Sequence, residues 1–250
     1  MSESQPSSLP VRSIGATPNL GSGAMFDAIA HRYDLLNRIM SFGVDMRWRK
    51  LAIHKMALQP DAQVLDLATG TADMALLVHR LHPQVQVVGL DPSRKMLDVG
   101  EQKVQNAGAQ PHIRLEQGDA QALPFEAAQF DAACMAFGIR NVPDRSKALR
   151  ELARVVKPGG RICILELSEP QHGLLALGAR FYIHHLVPRI GGLLSGSREY
   201  RYLQQSIAQF PQPEAFAAIM RAAGLDVLEV LPLMFGSCQL FVATPGRRMA

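Results

Sequence analysis

The chain of 250 residues is long enough for one substantial domain, and its 48% hydrophobic content is that of a globular protein. The formal net charge is only +4, and the basic residues are scattered instead of forming the stripe typical of nucleic-acid-binding proteins. No stretch is long and apolar enough for a membrane span. We therefore expect a protein without a nucleic-acid partner, either soluble or peripheral to a membrane.

The N-terminal part divides into a tail and a helical segment. Residues 1–22 are rich in Ser, Pro and Gly and lack the apolar segment of a signal peptide, which predicts a flexible tail. Residues 23–250 are predicted as a single domain that begins with a helical cap over residues 25–58. Within the cap, Arg47, Arg49 and Lys50 are predicted to form a solvated helix face, with contact to anionic lipid head groups as the alternative.

From residue 63 onward, apolar strand-like runs alternate with amphipathic helical stretches. This alternation predicts βαβ units and a doubly wound parallel sheet covered on both faces. Two later strands are joined by a connection too short for a crossover, which indicates an antiparallel pair. The predicted strands are 64–68, 85–90, 113–117, 130–137, 162–167, 226–231 and 239–243; the predicted helices are 74–81, 95–106, 146–156 and 213–223, with a helical insertion over 169–210.

The junction between helix 146–156 and strand 162–167 carries the sequence Lys157-Pro158-Gly159-Gly160. Proline cannot continue a helix, and glycine tolerates the positive φ of a tight reversal. We therefore expect a sharp helix-to-strand turn here.

Polar and small residues follow the first two predicted strands, where an open α/β sheet forms its ligand crevice. The first strand runs into a loop from Asp66 to Asp73 that contains Gly70. Asp66 and Asp73 could offset a cationic ligand or simply cap a turn or helix. The second strand ends at Asp91, whose two oxygens could accept both hydroxyls of a ribose, either of NAD or of another adenosine cofactor.

The three cysteines, Cys134, Cys163 and Cys238, lie far apart and lack metal-ligand or CxxC spacing. Each falls in an apolar strand-like run. We therefore expect them to pack in the core of a cytoplasmic protein, and we predict no metal site.

Three phrases carry a resemblance to a known family: Tyr33-Asp-Leu-Leu-Asn-Arg-Ile-Met-Ser41 followed by Trp48, the Asp66–Asp73 loop, and Arg154 to Ser168 with its Lys-Pro-Gly-Gly. Together they resemble the quinone C-methyltransferases, which methylate demethylmenaquinol and the polyprenyl benzoquinol precursor of ubiquinone. The resemblance covers residues 25–244.

The resemblance implies the class I S-adenosylmethionine-dependent methyltransferase fold, a Rossmann-like doubly wound sheet with a terminal antiparallel hairpin. It implies S-adenosylmethionine as cofactor, with a polar group at the adenine amine and a small residue beside the ring. The chain departs from the family loop by carrying Ala68 and Ala72 where glycine is often found. The cofactor-binding residues expected from the resemblance are Asp66, Gly70, Thr71, Asp91, Asp119 and Ala120.

The sequence Phe137-Gly-Ile-Arg140-Asn141 also resembles the family and lies at the end of the fourth strand. The resemblance implies that Phe137 lines the substrate side, that Arg140 stabilises a developing phenolate and that Asn141 orients the hydroxyl. The alternative is that Arg140 merely pairs with Asp144 or Glu166 at the surface.

The helical cap supplies further candidates for the substrate side. Tyr33 and Asp45 are expected there, although the family often has histidine at the position of Asp45. Trp48, like Tyr33, could line the mouth of the site or anchor the cap in the core.

The resemblance thus predicts an S-adenosylmethionine-dependent C-methyltransferase that converts demethylmenaquinol to menaquinol. The alternatives are the same reaction on 2-methoxy-6-polyprenyl-1,4-benzoquinol, an RNA or protein methyltransferase, and a non-enzymatic subunit of the quinone pathway. The expected partners are a prenylated naphthoquinol or benzoquinol, a membrane surface touched peripherally, and a second copy in a homodimer. We expect the protein in the cytoplasm, at the inner face of the membrane.

Overall fold

The computed structural model describes Asp27, Ala30, Arg38 and residues 43–169 and 197–246. The predicted tail 1–22 lies outside these residues, as do Tyr33, most of the cap before residue 43, and the insertion over 170–196.

Seven strands and six α-helices make up the described part of the chain. In chain order they are α1 (Asp45–Lys55), β1 (Gln63–Leu67), α2 (Asp73–Leu81), β2 (Gln86–Asp91), α3 (Arg94–Asn106), β3 (Ile113–Gln117), β4 (Phe130–Ala136), α4 (Arg145–Val155), β5 (Val156–Leu167), α5 (Ser197–Ala208), α6 (Pro213–Ala222), β6 (Leu225–Leu233) and β7 (Cys238–Pro245). Two short 3₁₀ turns, Ile139–Asn141 and Met234–Gly236, follow β4 and β6.

The sheet has the strand order β3-β2-β1-β4-β5-β7-β6. Strands β1 to β5 pair in parallel, and β7 lies antiparallel between β5 and β6. The predicted doubly wound sheet with a terminal antiparallel hairpin is confirmed. The strand order reverses between β1 and β4, so the crevice of such a sheet falls where these strands end.

The strands β1, β2, β4 and β7 are buried on both faces, which explains their nearly continuous apolar sequences. Successive residues of a strand point to opposite faces. Val64 of β1 packs in one apolar cluster with Ile53 of α1, whereas the next residue, Leu65, packs in the other with Leu149 of α4. Helices α1, α2 and α3 thus cover one face, and α4 and α6 cover the other.

The change from helix to strand, which the sequence predicted at residues 157–160, occurs before them. Strand β5 begins at Val156, directly after α4, because this residue is already extended (φ −86°, ψ 137°) before the proline is reached. Val156 pairs with Phe130, and Arg161 pairs with Ala132. Between these two pairs β5 advances by five residues and β4 by only two. Residues 157–160 of β5 are therefore not paired with β4, and they form an excursion that bulges out of the strand.

Strand β4 ends one residue before its predicted end. Phe137 has a φ of 62°, a left-handed conformation that a bulky residue rarely adopts and that interrupts the extended chain. The following residues, Ile139–Asn141, form a 3₁₀ turn beside the end of β5, where the backbone N–H of Arg140 donates to Glu166.

The structure can also be compared with the predictions about membrane spans and cysteines. Within residues 43–169 and 197–246, no helix is long and apolar enough to cross a membrane. Cys134, Cys163 and Cys238 are buried in the core, as expected, and form no disulfide. The part of the chain that the structure describes holds no group of three or more potential metal ligands.

Candidate active site

A crevice opens at the carboxyl ends of β1 and β4. It encloses about 300 Å³ of space that is partly open to solvent. Loop residues on the two strands come very close here: a Cβ placed on Gly138 would lie 2.5 Å from the Cβ of Ala68. Glycine at position 138 therefore permits the approach. The crevice is lined by Arg49, Asp66, Ala68, Thr69, Gly70, Thr71, Asp73, Met74 and Ala136.

The loop after β1 is held in an unusual conformation. Ala68, Gly70 and Ala72 have φ angles of 57°, 57° and 63°. A left-handed backbone is unfavourable for alanine by roughly 1–2 kcal/mol, which explains why glycine is common at such positions. The chain accepts this strain at two of the three positions.

Asp66 anchors this loop from inside the crevice. Its Oδ2 accepts hydrogen bonds from Thr69 Oγ1 (2.6 Å) and from the backbone N–H of Ala75 in α2 (3.1 Å). Its Oδ1 accepts a weak bond from Cys134 Sγ at 3.5 Å. Burial raises the pKa of this carboxyl to about 6, against the opposing effect of these hydrogen bonds and of Arg49.

Asp91 joins the same loop to the end of β2. Its Oδ2 accepts from the backbone N–H of Gly70 (2.9 Å), and its Oδ1 accepts from that of Ser93 (2.9 Å). Each carboxylate oxygen keeps a further acceptor site. Burial raises the pKa of Asp91 to about 6. Ser93 in turn caps α3 and donates from Oγ to Asp27 Oδ1 at 2.5 Å.

The loop after β3 lies beside Asp91, since the backbone N–H of Gly118 donates to the Asp91 carbonyl at 3.1 Å. Asp119 Oδ1 accepts a hydrogen bond from the backbone N–H of Gln121 (2.9 Å), which closes a tight turn in this loop. Ala120 packs into the core. Asp91, Asp119 and Ala120 thus meet at one edge of the sheet.

Asp73 and Thr71 have a different environment from Asp66. Lys103 of α3 forms an ion pair with Asp73 and donates to Thr71 Oγ1 at 3.3 Å. Because the charge of Asp73 is already balanced, this residue fits a structural role better than that of a counter-ion to a cationic ligand.

Arg140 forms a buried ion pair with Glu166 of β5. Its Nη1 lies 2.5 Å from Glu166 Oε1 and donates to the Phe137 carbonyl at 2.7 Å, while its backbone N–H donates to Glu166 Oε2 at 3.1 Å. The two side chains are 6% and 0% exposed, so the pair is not the surface contact that the sequence offered as an alternative. Arg140 Nε is buried and has no hydrogen-bond partner among the described residues.

Asn141 bridges the end of β4 to the helix α5. Its Oδ1 accepts from the Tyr202 hydroxyl at 3.1 Å, and its Nδ2 lies 3.4 Å from the Phe137 carbonyl. Helix α5, which is part of the predicted insertion, thus contacts the turn after β4 through a tyrosine.

The prediction of a solvated helix face over Arg47, Arg49 and Lys50 is wrong for Arg49. This residue is only 5% exposed, whereas Arg47 and Lys50 are exposed. Its guanidinium lies 5.3 Å from the centroid of the Phe137 ring, and its Nε is 3.5 Å from Oδ2 of the buried Asp45. Arg49 turns inward because α1 packs on the sheet through this side.

Comparisons with known proteins cover most of the chain. The model of the ubiE/COQ5 methyltransferase family matches residues 19–244. The chain is 45% identical over 219 residues to a demethylmenaquinone methyltransferase of Thermus thermophilus, covering 87% of this chain and 98% of that protein. The chain belongs to the ubiE/COQ5 methyltransferase family.

Two further likenesses agree with this membership. A Syntrophotalea carbinolica protein named ubiquinone/menaquinone biosynthesis C-methyltransferase UbiE is 46% identical over 207 residues, covering 83% of this chain and 86% of that protein. The crystal structure of a SAM-dependent methyltransferase from Aquifex aeolicus shares the fold at a TM-score of 0.58 and 17% identity, covering 78% of this chain and 88% of that one. The expected class I methyltransferase fold is confirmed.

For this methyltransferase, the structure brings most of the predicted site residues to one edge of the sheet. Trp48 is buried and packs edge-on against the Phe137 ring at 6.5 Å, so it is a core residue that also supports the crevice. The sequence analysis did not place Asp27 or Arg49 at this edge of the sheet. For Arg49 the missed signal is the pair Asp45 and Arg49, one helical turn apart on the face that carries Trp48 and Ala52.

Proposed function

We propose that the chain transfers a methyl group from S-adenosylmethionine to a ring carbon of demethylmenaquinol, forming menaquinol. The observation that carries this proposal is the 45% identity, over 98% of its length, to the Thermus thermophilus protein of that name. The crevice at the sheet edge supports it, because it combines buried carboxylates with the loops in which class I methyltransferases hold their cofactor.

The residues present fit S-adenosylmethionine, which supplies an electrophilic methyl group on a cationic sulfonium. Asp91 retains acceptor capacity for two hydroxyls, and Asp66 is a buried carboxylate in the crevice. A Cβ at position 70 would lie 3.2 Å from Met96 Cε, so glycine leaves room here that any other residue would take up. In this proposal the cofactor is held by Asp66, Gly70, Thr71, Asp91, Asp119 and Ala120.

Methylation of a ring carbon requires an electron-rich ring, so the acceptor is the reduced quinol. Loss of a phenolic proton to water raises electron density on the adjacent carbon. That carbon forms a bond to the methyl group as the carbon–sulfur bond breaks and its electron pair stays on sulfur. The ring proton then leaves to restore aromaticity. The protein has to hold the two reactants at near-attack distance and stabilise the phenolate.

Arg140 and Asn141 are our candidates for that stabilisation. Arg140 Nε is a buried donor without a partner in the described part of the chain, an unfavourable state that a nearby oxyanion would relieve. Asn141 presents an amide fixed by Tyr202. Phe137 and Asp45 both contact Arg49 of the crevice, and they and Tyr33 stay predictions for the substrate side.

The test is methyl transfer by the purified chain to a demethylmenaquinone analogue reduced with dithionite. We expect the product to gain one methyl group by mass spectrometry, and we expect no product from the oxidised quinone. Equal turnover of the oxidised quinone would contradict the mechanism.

The second candidate function is the same reaction on 2-methoxy-6-polyprenyl-1,4-benzoquinol. It is favoured by the 46% identity to the relative named for both ubiquinone and menaquinone biosynthesis. Comparing kcat/KM for the two quinols decides between a single and a dual substrate, and the quinone profile of a deletion strain shows which product the cell lacks.

A peripheral contact with the membrane follows from such a substrate, since a prenylated quinol resides in the bilayer. The connection between β6 and β7 exposes Met234 (41%) and Phe235 (63%). Because β7 runs antiparallel to β5, with Cys238 beside Leu167, this connection lies at the same sheet edge as the crevice. We propose that these two side chains contact the lipid surface.

A further inference from the structure

Arg49 is a buried cation in the crevice to which the methyl-transfer chemistry above gives no task. It lines the crevice together with Asp66, Gly70 and Thr71, although it comes from α1 and not from any of the loops at the strand ends. Its Nε is buried and, within the described residues, has no hydrogen-bond partner. A buried donor of this kind is expensive unless something else binds it.

The described contacts of Arg49 engage the face of its guanidinium and, at longer range, its Nε. The guanidinium lies over the Phe137 ring at 5.3 Å, which engages its face and not its N–H groups. Asp45 approaches Nε at 3.5 Å, a charge contact that is too long for a good hydrogen bond. Arg49 is thus oriented by an aromatic ring and a carboxylate, and an arginine held in this way can offer a planar fork of donors to an anion.

The charges in the crevice match those of an amino-acid group. An α-amino acid carries one anionic and one cationic end, and the crevice holds both a buried arginine and the buried carboxyl of Asp66. Helix α2 also begins here: Met74 of its first turn lines the crevice, and one N–H of that turn, from Ala75, is bound to Asp66. A helix N-terminus adds to the preference for negative charge.

We propose that Arg49 binds the α-carboxylate of the methionine moiety of S-adenosylmethionine. This inference rests on the proposed cofactor. It makes Arg49 a cofactor-binding residue that discriminates in favour of ligands bearing a carboxylate, and it makes Asp45 a positioning residue through its 3.5 Å contact with Nε.

The experiment compares two ligands, S-adenosylmethionine and its decarboxylated analogue, which keeps the sulfonium and the amine. We expect Arg49→Gln to weaken binding of S-adenosylmethionine by about 10- to 100-fold, the size of a lost charge-assisted contact. Binding of the decarboxylated analogue should stay within about twofold of wild type. Isothermal titration calorimetry measures both constants without any quinol, and the constant for the analogue also shows whether the variant is folded.

Three further variants sharpen the test. Arg47→Gln removes an exposed charge from the same helix and should change neither constant. Arg49→Lys should recover part of the preference for the carboxylate. The double variant Asp45→Asn/Arg49→Gln avoids leaving Asp45 buried beside an uncharged side chain, and it should show the same selective loss if the single variant does not fold.

Two outcomes would overturn the inference alone. One is an equal loss of affinity for both ligands in the double variant, which would make Arg49 a structural residue. The other is unchanged affinity for both with a lower kcat on the quinol, which would assign Arg49 to the phenolate. A wild-type protein that binds neither ligand would instead overturn the proposed function, and this inference with it.

Discussion

Asp66 is a carboxyl group whose ionisation the fold opposes. Burial raises its pKa from 3.8 to about 6, so the native state holds a proton at pH values where the unfolded chain has released it. Between about pH 4 and 6 the native state binds more protons than the unfolded state. The free energy of unfolding contributed by this group therefore falls as pH rises through that window and stays low above it.

Asp66→Asn should raise the free energy of unfolding at pH 7.5, by up to roughly 3 kcal/mol for a pKa shift of this size. The asparagine oxygen can keep the bonds from Thr69 and Ala75, and its NH₂ can point at the Cys134 sulfur. Urea titrations at pH 4.5 and 7.5 should show a weaker pH dependence than in wild type, together with weaker cofactor binding.

Asp61→Asn, an exposed carboxylate, is the matched control and should change the unfolding free energy little. An Asp66→Asn variant whose stability depends on pH as steeply as that of wild type would show that the buried carboxyl is not the source.

The pair of Arg140 and Glu166 changes how the proposed catalytic residue has to be tested. Removing Arg140 leaves Glu166 buried without its partner, and such a loss typically costs 3–5 kcal/mol. An alanine variant could therefore lose activity simply by unfolding. A single atom, Nη1, makes both side-chain contacts of Arg140, to Glu166 and to the Phe137 carbonyl. Lysine can place its ammonium there while lacking Nε.

Arg140→Lys should consequently keep much of the stability but lower kcat by about a hundredfold, as the loss of an oxyanion donor does. The affinity for S-adenosylmethionine should change little, because the lost contact forms only with the acceptor. Steady-state kinetics and thermal melting measure the two effects separately. Normal turnover in this variant would assign Arg140 to the scaffold.

At the level of elements, the excursion at residues 157–160 shows two glycines with different tasks. Gly159 has a φ of 81° and open space around its Cβ position. Gly160 has an ordinary φ, but a Cβ there would lie 2.5 Å from the carbonyl oxygen of Asp131 in β4. The first glycine is needed for backbone conformation and the second for close approach. Lys157 then reaches across to Asp131 at 2.6 Å and fastens the excursion to β4.

Asparagine substitutions separate the two tasks, since asparagine tolerates a left-handed backbone but carries a Cβ. We expect Gly159→Asn to be nearly neutral and Gly159→Ala to cost about 1 kcal/mol. Gly160→Asn and Gly160→Ala should both cost roughly 1–3 kcal/mol because the clash is with Cβ itself. Urea denaturation of the four variants tests this, and a tolerated Gly160→Asn would contradict the assignment.

At the level of the whole molecule, the crevice and the exposed β6–β7 connection face the same way. All five parallel strands end at this edge, and the antiparallel β7 begins there. Leu81, by contrast, is an exposed apolar residue at the far end of α2, on the opposite edge of the sheet. A lipid contact through Phe235 would bring the crevice toward a bilayer-bound quinol, whereas a contact through Leu81 would turn it away.

Phe235→Ser should therefore lower the fraction of protein that sediments with vesicles of phosphatidylethanolamine and phosphatidylglycerol. Stability should stay within about 0.5 kcal/mol, because the side chain is 63% exposed. Leu81→Ser is the control and should leave sedimentation unchanged. Equal binding of all three proteins would contradict the lipid contact. The homodimer and the cytoplasmic location stay predictions, the former open to light scattering after gel filtration.

The sequence by itself determined the layers of this protein and predicted the sheet edge at which its site is proposed. The alternation of strands and helices, the short connection before β7, and the polar residues Asp91 at the end of β2 and Asn141 after β4 were readable because these signals are local in the chain. The resemblance to the family also rested on local sequence, and the family model that matches residues 19–244 confirmed it.

Only the tertiary structure decided which charges are buried and what they meet. Arg49 looked like one of three surface cations, and its burial depends on which side of α1 packs on the sheet. The contact of Arg140 with Glu166 depends on the register between β4 and β5, and that register contains an excursion of four residues. Burial and register arise from segments far apart in sequence, so no local pattern could have fixed them.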